Sequence, residues 1–598
     1  MYQSAYYVAK STGTFTDALL AIGLARLIEV VLPEGSGPKI WIRDIGSHYS
    51  VECPVPVSES RVASLAGLDL LPYIRERVGE RLPENRMVGW RLDLIDLPAE
   101  RAKLKERQDT LKKLKAEKKD DADIRQAVAA LAVDERLSLA SALQSLKALT
   151  SYRKIVLYLL ENPAAAPAIA RGALRLFGGP SNDFESSATE LRRELRKAGL
   201  PDGPAANALQ VVNPDKGKGA SSSSPGDVTV KNVPSHWLLE YLKFIGLFEG
   251  GLGKVFKVGA RAYDKKVYVL APVALQLGML AATIRDFRQA ALAATPVAMD
   301  IGAVLNAAIA LVNHWPRQVD ETDPLARYEV VADCVSGLHA AYFKSMGQAD
   351  SVSNLSFMGL PKWVPAPGPK WSAERILTIL GDQHKSIGAI AEDGDTLDLL
   401  SAYRDFVSSG RLQSLFRFFS GFAALLMHEL SQEFVRRRHR YIRPFPSDTQ
   451  KEVIVMTEPR FAEVVNAGGF NAIADAIRNS TVNLQYADKS KRMYEVKYGL
   501  AQKVKERATY RAKFLAFIGE FAAEYNQENL RVYERLRNRG EEVKQRRKNI
   551  TDQDLKELTY LVDRFGSEVV ANLLIGIGYS SRAKTPEQEK EEAEEAEA

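Results

Sequence analysis

The sequence predicts an α+β protein: a mixed α/β N-terminal and central region followed by a C-terminal α-helical bundle. Three observations carry that expectation. Strand-forming runs bounded by turn residues lie at 39–57, KIWIRDIGSHYSVECPVPV, and at 265–272, KKVYVLAP. The last quarter instead repeats apolar residues at helical spacing. The length of 598 residues exceeds the roughly 250–300 at which single cores stop growing, so two or three domains are expected.

The elements follow in chain order. Residues 15–31, FTDALLAIGLARLIEVV, read as a helix with Thr16 or Asp17 placed to cap it. Ile40, Ile42 and Val51 flank Gly46-Ser47, which predicts a hairpin. Residues 99–122 are dominated by charges of both signs and read as a solvated helix. Helix continues through 123–176, with a break at Asn162-Pro163. From Pro201 to Pro234 the chain is rich in Gly, Ser and Pro and reads as a linker. HWLLEYLKFIGLF then reads as an amphipathic helix with Trp237, Tyr241 and Phe244 on one side. Residues 273–313 are alanine-rich and helical, and a further helical region spans 373–438. Near the end, one helix holds Val496, Leu500 and Val504, and the next holds Phe514, Phe517, Ile518, Phe521 and Tyr525. The last starts at the capping pair Thr551 and Asp554 and runs to Gly576. These signals divide the chain into an α/β domain at 1–200, a linker at 201–234, a central mostly helical domain at 235–445, a bundle at 446–582 and a disordered acidic tail at 583–598.

Composition excludes several classes. The hydrophobic share of 46% and charged share of 26% are ordinary for a globular protein. Two distant cysteines, Cys53 and Cys334, make neither a disulfide framework nor a zinc site and fit a reducing cytoplasm. MYQSAYYVAK lacks the basic and apolar regions of a secretory signal. The best membrane candidate, Val267 to Ile284, is broken by Pro272 and Gln276 and reads as a buried strand running into a core helix.

Catalytic patterns fail at identifiable positions. None of the seven histidines forms H-x-x-x-H, and His428-Glu429 meets Gln432 where a second metal ligand would stand. Gly250-Gly251-Leu252-Gly253-Lys254 has Phe248 and Val255 where a phosphate loop needs Gly and Ser or Thr, so it reads as a turn between helix and strand. No G-x-S-x-G occurs. No catalytic residue, metal ligand or cofactor site is expected.

Charge points to a polyanion instead. Between Ser431 and Ile550 there are 25 basic and 15 acidic residues, a net of +10, so the remainder carries −4 of the chain's +6. The densest run holds Arg436, Arg437, Arg438, Arg440 and Arg443; it reads either as a helix C-terminus favoured by the macrodipole or as a phosphate clamp. Lys503, Arg507 and Arg511 are spaced by four and are expected on one helical face, as are Arg531, Arg535 and Arg539. A solvated face and a phosphate contact explain such rows equally well. Arg546 and Arg547 extend the patch, and Lys489 and Arg492 precede it. In the linker, Lys216 and Lys218 beside glycines are further candidates, with Asn213 just before them.

Four stretches give the chain a family likeness: DALLAIGLARLIEVV; Asn213-Pro214 with Gly217-Lys218-Gly219, HWLLEYLKFIGLF and KKVYVLAP; GLHAAYFKSMGQADSVSNLSFMGLP; and the end, FNAIADAIRNST, RMYEVKYGLAQ, FIGEFAAEYNQEN and LTYLVDRFGSEVVANLLIGIGY. In this order they resemble the large subunit of type I CRISPR Cascade complexes, in the I-A/I-B-like branch. The resemblance implies a non-enzymatic subunit that recognises the protospacer-adjacent motif in duplex DNA, promotes R-loop formation and recruits a helicase-nuclease. It implies as partners the CRISPR guide RNA, the target duplex DNA and its displaced single strand, and other Cascade subunits, with no membrane involved. Guide–target pairing would then supply most of the sequence discrimination. The alternatives are a metal-dependent nuclease and a stand-alone RNA-binding structural protein.

Overall fold

The computed structural model describes residues 2–84, 86–117, 121–181, 183–216, 233–259, 262–290, 292–315, 328–347, 350–436, 442–485, 492–539 and 547–582. The fold is α+β. It divides into two compact units, one of residues 1–294 and 313–360 and the other of 295–312 and 361–598. This differs from the expected boundaries at 201, 235 and 446, and packing explains each difference.

In the first unit the helix Phe15–Val31 crosses the helix Trp237–Gly250 at glycines. A Cβ on Gly23 would overlap the Leu242 carbonyl, and one on Gly246 would overlap the Leu19 carbonyl, so the two backbones touch. The Trp237 helix is buried on nearly every side, including Glu240 and Lys243; it is a central helix, where the sequence suggested an amphipathic one. Thr14, rather than Thr16 or Asp17, caps the Phe15 helix by accepting from the Thr16 amide. Asp17 is buried and accepts from the amides of Thr12 and Gly13. Burial raises its pKa despite those bonds.

The described ends of the stretch expected as a linker, 201–216 and 233–234, pack within this unit. Ala206–Asn207 pairs antiparallel with Pro234–Ser235, so its two ends meet. Trp237 Nε1 donates to the Asp202 carbonyl at 3.1 Å, and Thr16 Oγ1 donates to the Val212 carbonyl at 2.8 Å.

Two four-stranded antiparallel sheets complete the unit. The expected hairpin forms between Trp41–Asp44 and His48–Glu52, with Gly46 at φ 90°. It is flanked by Ala5–Ala9 on one side and by the distant strand Ala274–Gln276 on the other. The second sheet is ordered Gly251–Lys257, Tyr263–Pro272, Val335–Ser345, Asp350–Gly359. Much of the stretch expected as mostly helical is therefore sheet. The span Val267 to Ile284 runs through a buried strand, a short strand and the helix Leu277–Gln289. Among the described residues one helix, Pro296–Asn313, is long and apolar enough to cross a bilayer, and 72% of it is buried.

The second unit is helical around an aromatic cluster. Tyr403, Phe418, Phe422 and Phe445 form a cluster of mostly tilted and edge-on contacts at 4.8–6.3 Å, and Trp363 stacks on Phe406 at 5.6 Å. A Cβ on Gly576 would strike the Phe419 ring, so the helix Leu412–Arg436 lies directly on the helix Ser567–Gly578. A boundary at 445/446 would cut this core. Arg478 is buried and donates to the carbonyls of Ile577 and Ser580, holding the helix Gly468–Ser480 to the end of the Ser567 helix. The final helix is two: Asp552–Phe565 carries the expected Thr551–Asp554 capping box, and Gly566 at φ 89° breaks it from its successor. Gly499, at φ 71°, likewise leaves Val496 outside the helix Leu500–Arg507.

Two predictions follow from the first unit. Gly246→Val should destabilise it by about 3 kcal/mol, because the added methyls meet backbone that cannot retreat. An unchanged urea midpoint would contradict the crossing. The second concerns His339, whose ring packs on Phe357 at 5.0 Å. Burial, reinforced by Lys10, lowers its pKa from 6.5 to about 4. The unfolded chain takes up this proton near pH 6.5 and the folded chain does not until about pH 4. Stability is therefore full above 6.5 and falls by about 3 kcal/mol as the pH drops toward 4. His339→Gln should flatten that part of the stability–pH curve.

Candidate nucleic-acid interface

The helix Arg511–Asn538 is the longest in the second unit's C-terminal part, and its sequence sorts by face. Phe514, Ile518, Phe521, Tyr525, Asn529, Val532 and Leu536 are buried against the bundle at spacings of three and four. Arg531, Arg535 and Arg539 lie on the exposed side, and no carboxylate among the described residues pairs with them. Arg539 is the C-cap, so the row ends where the macrodipole favours cations. That dipole acts over the last turn and accounts for Arg539 and Arg535, not for Arg531.

The same helix lends Tyr525 to a cleft of about 730 Å³, also lined by Asn479, Asn483, Arg492, Tyr494, Arg547 and Lys548. The Arg547 guanidinium lies 3.4 Å above the Tyr494 ring centre and 5.6 Å from that of Tyr525. It pairs with Glu528 at 3.3 Å and donates to the Asn479 carbonyl. Its side chain is only 9% exposed, and burial lowers its pKa even though Tyr525 and Glu528 oppose that shift. Arg492 is half-buried and donates to the Gln485 carbonyl and side chain, both at 3.3 Å. Burial raises the Tyr494 pKa, with Arg547 opposing. Asp475, paired with Arg478, and Asp554, which accepts from the Thr551 amide, also line the cleft; its cations, aromatic rings and amides suit phosphate and base contacts. Among the described residues no group of three or more His, Cys, Asp or Glu could hold a metal ion.

The remaining sequence candidates fall into different places. Lys503, Arg507 and Arg511 do not share one helix. The first helix ends at Arg507, where Ser567 Oγ takes the Ala508 carbonyl at 2.6 Å, and the next begins at Arg511 after Tyr510. All three are exposed, but Arg511 is held by both carboxylate oxygens of Asp563. Asn213 is corrected outright: it is 4% exposed, in the first unit, with both ends of its amide used. It donates to Glu240 at 3.0 Å and accepts from Lys243 at 2.6 Å, while Lys243 bonds Glu240 at 2.7 Å. It cannot also present that amide to a nucleic acid. Arg547 is corrected in the same sense, since it ties the bundle together at the cleft wall. Lys216 is exposed and pairs with Asp215 at 3.0 Å. Arg436 is the last residue of its helix, which agrees with the helix-terminus reading, and Arg443 is exposed. Lys218, Arg437, Arg438, Arg440, Lys489 and Arg546 lie outside the described residues, as does the acidic tail.

No family model matches the chain, and no curated protein matches it either.

Sequence reasoning missed Tyr494, Tyr525, Asn479 and Asn483 as members of a cleft. One signal was available, the tyrosine set between basic residues in Lys491-Arg492-Met493-Tyr494. The asparagines carried none, because they reach the cleft only when the Gly468 helix and the short helix Val482–Gln485 pack. The contrast between buried and exposed arginines is testable. Arg547→Leu should destabilise the second unit by about 3 kcal/mol, as it strips Glu528 and the Asn479 carbonyl of their buried partner. Arg531→Ala should change stability by less than about 0.5 kcal/mol. Urea unfolding of both variants reads the difference.

Proposed function

We propose that this chain is a non-enzymatic nucleic-acid-binding protein, the large subunit of an RNA-guided type I CRISPR surveillance complex. In this reading it works in the cytoplasm with guide RNA and other Cascade subunits, without a cofactor. It recognises the protospacer-adjacent motif in duplex DNA, promotes R-loop formation along the displaced strand and recruits a helicase-nuclease. The observation that supports it best is the row Arg531, Arg535 and Arg539, exposed and unneutralised by any described carboxylate. Like charges at i and i+4 repel by roughly 0.2–0.5 kcal/mol per pair, and a phosphate backbone removes that cost while releasing counterions. The cleft on the same helix adds aromatic and amide groups that a polyanion of bare charge would not need.

Replacing all three arginines by alanine should weaken binding to every sequence alike, because phosphate contacts position rather than specify. On single-stranded DNA the log–log salt dependence should become shallower by about 2, from roughly 0.7 per phosphate. An unchanged slope with the bundle intact would make the row a solvated face. The complex itself is tested by purification from its native cell. Guide-length RNA and several further subunits are expected to accompany the chain. RNA bound by a lone chain would favour a stand-alone RNA-binding protein, and metal-dependent cleavage by the isolated chain would favour a nuclease.

A further inference from the structure

The Gly250-Gly251-Leu252-Gly253-Lys254 motif has a role that the nucleic-acid reading above does not use. The helix Trp237–Gly250 ends there and the strand Gly251–Lys257 begins. A Cβ on Gly253 would lie 2.8 Å from the Ala142 Cβ and 3.2 Å from the Ser138 carbonyl oxygen. Glycine therefore lets the strand press flat on the helix Leu137–Ser145, and the next residue, Lys254, lines the same cavity as Ser138. The junction is held by Arg288, half-buried, whose guanidinium donates to the Gly251 carbonyl at 2.9 and 3.0 Å and to the Phe248 carbonyl. Burial, which Glu249 and Glu135 oppose, lowers its pKa to about 10.

Lys254 and Arg288 open on a cavity of about 1090 Å³ that also takes Arg101 and Arg107 from the helix Leu97–Ala116. No carboxylate among the described residues pairs with Lys254 or Arg107. Burial alone lowers the Lys254 pKa. Arg101 donates to Ser141 and Gln144, both neutral. The Ser138 hydroxyl is buried without a hydrogen-bond partner. Two carboxylates reach the cavity. Asp134 is held by Arg136 at 2.8 Å, and Glu135 favours the charged form of Arg288. Leu104 and Leu111 flank Arg107 on the same face of the Leu97 helix and add apolar surface beside it. Unpaired cations and an unpaired hydroxyl, with apolar residues beside them, match a ligand that joins an anionic group to an apolar part.

We infer that this cavity is a nucleoside-phosphate pocket, with Lys254 and Arg107 on the phosphate, Ser138 donating to it, and the base against Leu104 and Leu111. Its size admits a nucleotide with room to spare, since small-molecule pockets run from about 300 to 1,000 Å³. It lies wholly in the first unit, and it stands whether or not the Arg531 row binds nucleic acid. Both a free nucleotide and the phosphorylated end of a strand present this chemistry.

Binding to the purified full chain separates these sources. The probes are AMP, a 5′-phosphorylated RNA hexamer and the same hexamer with a 5′-hydroxyl. The phosphorylated hexamer is expected to bind about tenfold more tightly than the hydroxyl form, the worth of one charge-assisted contact, and Lys254→Met should erase the difference. Saturable AMP binding lost in the same variant assigns the pocket to free nucleotides. A preference confined to the hexamer assigns it to a strand end. Equal binding of the two hexamers together with no AMP binding overturns the proposal, as does a preference that survives Lys254→Met and Arg107→Met. A readout on the unaltered chain guards against misfolded variants. Lys254 should react readily with an amine-selective reagent at mildly alkaline pH, and the phosphate-bearing probe should shield it in peptide mass spectra. Labelling of Lys254 unchanged by every probe would also overturn the assignment.

Discussion

The first unit depends on the contact between two helix backbones at Gly23 and Gly246. Neither helix has a polar face to give to water, so each must be covered all round, and side chains larger than hydrogen at the crossing would hold them apart. Close approach lets the segment before the Trp237 helix reach the start of the Phe15 helix, where Thr16 bonds the Val212 carbonyl. It also buries one face of the Trp237 helix against residues 209–216. There Glu240 and Lys243 would be isolated charges were they not bonded to each other and to Asn213 and Ser235. A buried pair of this kind is weak evidence for stability but costly to break from one side, so it fixes the register of the loop on the helix.

Burial sorts the arginines of this protein into two kinds. Arg478 is buried, Arg288 and Arg547 are half-buried, and all three are satisfied by carbonyls at helix ends, a carboxylate or an aromatic face. They hold elements together, and their five donors in a fixed fork suit them to it. Arg531, Arg535 and Arg539 remain in water with no described carboxylate beside them, and they add field rather than cohesion. Arg511 stands between the kinds, exposed but engaged by Asp563. A count of basic residues treats all of these alike, which is why the net charge of the C-terminal region overstates the surface available to a polyanion.

Glycines also mark where the chain turns from one element to the next, and the second unit shows why that matters for a charged surface. Gly499 and Gly566 adopt positive φ and end the continuity of helices that a periodic sequence would extend. The first sets where the Leu500 helix starts, and Ser567 closes that helix at Ala508. The break at Ala508–Tyr510, not Gly499, separates Arg511 from Lys503 and Arg507. Spacing by four carries charges onto one face only while the helix is unbroken.

The sequence by itself determined the α+β class, the 41–52 hairpin, the strand at 263–272, the Phe15 helix and the capping box at Thr551. These depend on neighbours within a few residues, where propensity and periodicity act. It also marked Arg531, Arg535 and Arg539 as one face, because their helix is long and regular. Tertiary structure decided the rest. The two ends of the 201–234 stretch belong to one unit because residues 206 and 235 pair, and Asn213 became a core residue because Glu240 and Lys243 lie 27 and 30 positions further on. The cleft around Tyr494 and Arg547 draws on five separate stretches of chain, and the cavity at Lys254 requires a helix from residues 97–116 to close it. Burial and partners across such distances are properties of packing, and a one-dimensional pattern of residue types does not hold them.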